Sequence, residues 1–147
     1  MDKLNSLKQH LIDLVPGLKN NPDGIHIFAD EGGIKADLES TLSFSYEWQT
    51  TIICEEFSGH PDDLFVPLLV WIQDNQRDIK RDDIRFLLDP LDNGRADIRI
   101  TFPTDQPVIV KKGDNGHETS HPAEPSPDWN GVFPTLNTTT GTDRFDD

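Results

Sequence analysis

Cysteine is nearly missing from these 147 residues. Cys54 stands alone, so no disulfide can form within the chain, which fits a reducing compartment. Long apolar runs are missing too: the densest, Leu64 to Ile72, falls far short of the ~20 residues that cross a bilayer, so no membrane contact is expected. The N-terminal MDKLNSLKQHLIDLV carries acids and amides inside its apolar pattern and lacks the unbroken stretch of a signal peptide. Positive charge is scarce. Thirteen basic residues against 27 acidic ones leave a formal net charge of −14, which argues against gripping nucleic-acid phosphates through a basic surface. No Gly-rich phosphate loop, nucleophile elbow or CxxC pair occurs, so no cofactor and no catalytic residue is expected. A soluble, cytoplasmic chain with one folded domain remains.

One motif stands against that reading. Residues 117–121 spell His-Glu-Thr-Ser-His, the lettering of a zinc-hydrolase site. Its chemistry needs a helix, because only one helical turn brings both imidazoles to a single metal with the glutamate beside them as general base. Gly116 and Pro122 bracket the segment, and Thr119 and Ser120 are mediocre helix formers, so the sequence argues for a chance match and no metal site. His60-Pro61-Asp62-Asp63 resembles a ligand cluster only superficially, since a proline and two acids are what a helix start asks for. Cys54 falls on the apolar parity of a strand, where a thiol is a small inert hydrophobe.

The patterned part of the chain predicts an α+β domain over residues 1–111, a mostly antiparallel sheet packed by two helices. Leu4, Leu7, Leu11, Leu14 and Val15 recur at helical spacing until Pro16-Gly17 stops them. Ile25–Ala29 and Ile34–Leu38, separated by Asp30-Glu31-Gly32-Gly33, read as a hairpin. From Ser40 to Phe57 strict alternation puts Leu42, Phe44, Tyr46, Trp48, Ile52 and Cys54 on one face. So long a strand should carry a bend or bulge. A helix begins near Pro61, and Pro67 should kink it or mark a second start. Leu64, Phe65, Leu68, Leu69, Trp71 and Ile72 leave that helix almost no polar stripe, so it is buried on more than one side, by the sheet and by either the first helix or a second copy of the protein. They are the candidate core or oligomer contacts. A hairpin turning at Asp92-Asn93-Gly94 and a short last strand, Val108 to Val110, complete the domain.

Residues 112–147 hold seven acids, two bases and few apolar residues, a composition that predicts a disordered tail. Trp129, Val132, Phe133 and Leu136 form an aromatic island within it, either a docking motif or residues that touch only their own domain or nothing.

The succession of helix, paired strands, LSFSYEWQTTI, EEFSGHPDDLFVPLLVWIQDNQ and a strand pair ending in VIVKK resembles the tail-completion protein R family of contractile-tailed, peduovirus-type phages. Most of the likeness lies between Leu42 and Gln76, and it runs to about Lys111. The resemblance implies a tail-terminator-like fold and a structural role at the head-proximal end of the tail, in tail termination and head–tail joining. It implies as partners the tail tube, a companion completion protein and copies of the chain in a homo-oligomeric ring, assembled in the host cytoplasm and kept in the virion tail. Negative charge then has two explanations, a lumen that lets DNA slide past or simple solubility. An acidic DNA mimic is the alternative from another class, although the acids are scattered rather than ordered along one face.

Overall fold

The computed structural model describes residues 2–39, 41–76, 79, 83–114 and 116–122. Helix α1 (Asp2–Leu14) is followed directly by a short helix α2 (Pro16–Lys19), because Pro16 ends the first while suiting the opening position of the second. Leu7, Leu11, Val15 and Leu18 form their buried stripe. Strands β1 (Ile25–Ala36) and β2 (Phe44–Phe57), helix α3 (Pro61–Asn75), and strands β3 (Arg85–Pro90), β4 (Ala96–Gly113) and β5 (Gly116–Ser120) follow. The sheet is antiparallel throughout, in the order β1-β2-β4-β3, with β5 paired to the far end of β4. The expected α+β architecture is present.

Alternation decides which face is buried. Ile52 lies opposite Ile100 and Cys54 opposite Ile98, and all four meet Leu64, Leu68, Trp71 and Ile72 of α3 in one core with the α1 stripe. The indole of Trp71 packs on Phe102 with ring centroids 6.5 Å apart, and its Nε1 donates to Ser6 Oγ at 3.1 Å, joining α3 to both the sheet and α1.

Three expectations need correcting. The hairpin expected at Asp30–Gly33 is a bulge inside the single strand β1: pairing with β2 slips there, and Glu31 takes a φ of 51°. Gly32 and Gly33 make the detour inexpensive without turning the chain. The break expected between Phe102 and Val108 does not occur, and β4 runs on through Pro103 and Pro107. The N–H of Asp105 points away from β2, towards Gln76, and alternation puts the nitrogens of Pro103 and Pro107 on that same side, beyond the last pair of β3. A proline there forfeits no ladder bond. Finally, the boundary placed at residue 111 falls inside β4, which continues to Gly113 and pairs with β5. Side-chain pattern gave no hint of β5, because every residue in it is exposed. The bulge expected in β2 is found at its end, where pairing slips between Cys54 and Phe57 and Glu56 has a φ of 50°.

The helices back only part of the sheet. Here the "body" denotes α1 to α3 with the strand segments behind them. The "arm" denotes the same strands beyond the β1 bulge, from Gly33–Ala36 and Phe44–Glu47 to the far end of β4 and β5. A row of hydroxyls marks the border, where Trp48 Nε1 donates to Thr50 Oγ1 at 2.8 Å and the hydroxyls of Thr50 and Thr104 share a hydrogen bond of 2.7 Å.

Candidate assembly surfaces

Helix α3 starts where the sequence indicated. His60 is its N-cap, with Nδ1 accepting the N–H of Asp62 at 3.1 Å, which accounts for His60, Pro61 and Asp62 without a metal. The helix continues through Pro67, so the second-start alternative is not taken, and Nε2 of His10 lies 2.9 Å from the Pro67 carbonyl.

The six apolar candidates on α3 divide. Leu64, Leu68, Trp71 and Ile72 are buried in the domain's own core. Phe65 is half-buried and packs on Phe86 of β3, ring centroids 5.2 Å apart. Leu69 is 48% exposed, beside Val66 at 58%. Helix α1 and the sheet thus take the two sides of α3 and leave a strip, Val66 and Leu69, that continues through Phe65 onto the 61%-exposed Phe86. Exposed apolar surface rather than a reaction centre is what α3 offers.

The C-terminal end of α3 carries a junction that periodicity did not foretell. Gln76 is 3% exposed although polar, and its Oε1 accepts from the Asp105 N–H at 3.1 Å while its Nε2 donates to Asp105 Oδ1 at 3.0 Å. Lys3 Nζ donates to Gln76 Oε1 at 2.8 Å and to the Asp105 carbonyl at 2.6 Å. Side chains from both long helices therefore satisfy the backbone of β4 where β3 no longer reaches. The sole hint was an amide directly after a long apolar run.

His117 lies in a strand and His121 directly after it, not on the helix that the His-Glu-x-x-His zinc motif requires. Residues 116–120 are extended, and four residues of strand separate their ends by ~13 Å, against about one helical turn in a zinc-binding helix. Among the described residues no three His, Cys, Asp or Glu side chains converge on a metal position. Burial pushes the Cys54 thiol up to about 12, which leaves it protonated and unreactive at neutral pH. A groove of about 440 Å³ beside the β1 bulge has Glu31, Glu47, Asp83 and Asp105 in its lining. No described helix is long and apolar enough to cross a membrane. Trp129, Val132, Phe133 and Leu136 lie outside the described residues.

The described residues thus form a small antiparallel sheet with helices on one face and exposed apolar strips, a surface suited to contacts with other proteins. The family model of P2 phage tail completion protein R matches residues 1–125, and the chain belongs to that family. It is 34% identical over 133 residues to tail completion protein R of Escherichia phage P2, a match spanning 86% of each chain. No solved structure gives a significant match.

Proposed function

We propose that this chain is a structural tail-completion protein, working by shape at the head-proximal end of a contractile phage tail so that tube growth stops and a head can join. Family membership along almost the whole chain carries the reading, and the relative in phage P2 bears that function in its name. The uncovered strip of α3, Val66 and Leu69 with Phe65 and Phe86 beside it, supplies a surface for such contacts, either with copies of the chain in a ring or with the last ring of the tail tube. The chain assembles in the host cytoplasm, beside a companion completion protein, and remains in the virion tail. Its bonds there are the contacts of an interface, with no reaction and no cofactor.

Deleting the gene from an inducible phage genome tests this. The expected lysate contains filled heads beside tails that are abnormal or unjoined under the electron microscope. Normal, joined, infectious particles would overturn the assignment. Val66→Asp with Leu69→Asp then tests the strip. Both positions are exposed, so the variant should fold with an unchanged amide spectrum yet fail to complement the deletion.

A further inference from the structure

The arm carries apolar surface on the same side of the sheet as the helices; among the described residues Asp2 and Lys3 of α1 meet it at its near end, and Val108 within it is buried. Leu38, Leu42, Val110, Lys112 and His117 line a groove of about 330 Å³ there, with Leu38 75% and Leu42 50% exposed. Phe44 and Tyr46, in edge contact at 5.1 Å, continue the apolar path towards the N-terminus of α1. A second recess, about 220 Å³, opens at that end between Asp2, Lys3, Tyr46, Trp48, Gln106 and His121. The shelf is pinned from below, where the Ser43 hydroxyl accepts the N–H of Val110 at 2.9 Å and holds the β1–β2 connection against β4.

Two observations name its occupant. His121 lines the near end of the shelf, so the chain passes Pro122 already on the correct face. Trp129 follows His121 by eight residues, a reach of up to ~27 Å, whereas the shelf from Tyr46 to Leu42 spans four strand residues, ~13 Å.

We propose that the segment Trp129–Leu136 of the same chain docks on this shelf, with Trp129 and Phe133 as its apolar anchors. The segment covers in cis the part of that face, around Leu38 and Leu42, that is exposed. The inference does not depend on the tail-completion reading.

A nitroxide at Asn137→Cys in the full-length protein tests it, since buried Cys54 does not compete for the label. Amide signals of Leu38, Thr41, Leu42 and Lys112 should lose most of their intensity in the oxidised sample and recover on reduction, while those of Val66, Leu69 and Phe86 stay unchanged. Adding Trp129→Ala and Phe133→Ala should abolish the loss while leaving the amide spectrum of the body intact. Even broadening over the whole domain, or broadening centred on α3 and Phe86, would overturn the proposal. So would loss of signal at the arm in a mixture of ¹⁵N-labelled chains without nitroxide and unlabelled chains bearing it, because a second copy would then be the occupant.

Discussion

Body and arm are made of the same strands, yet burial treats them differently. Within β2, Thr50, Thr51, Ile52, Cys54 and Phe57 are buried, whereas Phe44, Ser45 and Tyr46 are only half-covered and Glu47 is exposed. Within β1, Ile25 is buried and everything from Glu31 to Ala36 is exposed. The alternation of apolar and polar residues is as regular in the arm as in the body. Alternation therefore fixes which face of a strand is offered, and only the tertiary arrangement fixes whether anything accepts it. In the body the acceptors are α1 and α3. In the arm Val108 alone among the described strand residues is buried.

The contrast breaks most severely in the body. Leu68→Ala deletes a side chain that is 1% exposed between α3 and the sheet, and should cost ~2–5 kcal/mol, a large part of the stability of a small domain. Urea denaturation followed by tryptophan fluorescence checks this, and a loss under ~1 kcal/mol would mean the core closes up around the gap. At the junction, Gln76→Ala leaves the Asp105 N–H and carboxylate without their partner amide and should cost ~1–3 kcal/mol. Hydrogen exchange should then quicken at the Asp105 amide while the Ile52 and Ile100 amides, deep in the ladder, keep their relative protection.

A pH scan sharpens the comparison further. Burial pushes the Cys54 thiol from 9.0 up to about 12, so the folded protein holds a proton that the unfolded chain surrenders earlier. The stability from this source is whole below about pH 9 and drains away as pH rises towards 12. Cys54→Ala should flatten that alkaline decline in the urea midpoint, whatever it does to stability at neutral pH. The smallest effect belongs to the arm. Leu42→Ser, at a half-exposed site, should shift stability by no more than about 0.5 kcal/mol, and a larger loss would show that the arm folds as part of the body.

Elements that pack by side chains were legible in the sequence. The buried faces of α1, α3 and β2, the hairpin of β3 and β4, and the cap before Pro61 all follow from periodicity and local chemistry. What escaped depends on backbone or on distant partners. Asp30–Gly33 has turn lettering whether the chain reverses or bulges, and only pairing with an unbroken β2 selects the bulge. Pro103 and Pro107 look like breakers unless it is known that their nitrogens face an unpaired edge. β5 is legible only as a partner of β4, since His117, Glu118 and Thr119 carry no apolar signal. The apolar residues of α3 stand out in the sequence only as a group, and their division into core and surface needed the positions of α1 and the sheet.

Among the described residues no strand pairs with the rim of β4 between Thr101 and Ile109, which has a consequence for how copies can meet. A strand added there would need outward-pointing N–H groups, and the three positions that should offer them are Pro103, Asp105 and Pro107. Two have no hydrogen to give, and the third is already committed to Gln76. The Asp105 carbonyl is likewise taken, by Lys3. This stretch of sheet is chemically sealed against growth, so an assembling neighbour is turned away from strand-to-strand zippering along it and towards faces where side chains decide the fit.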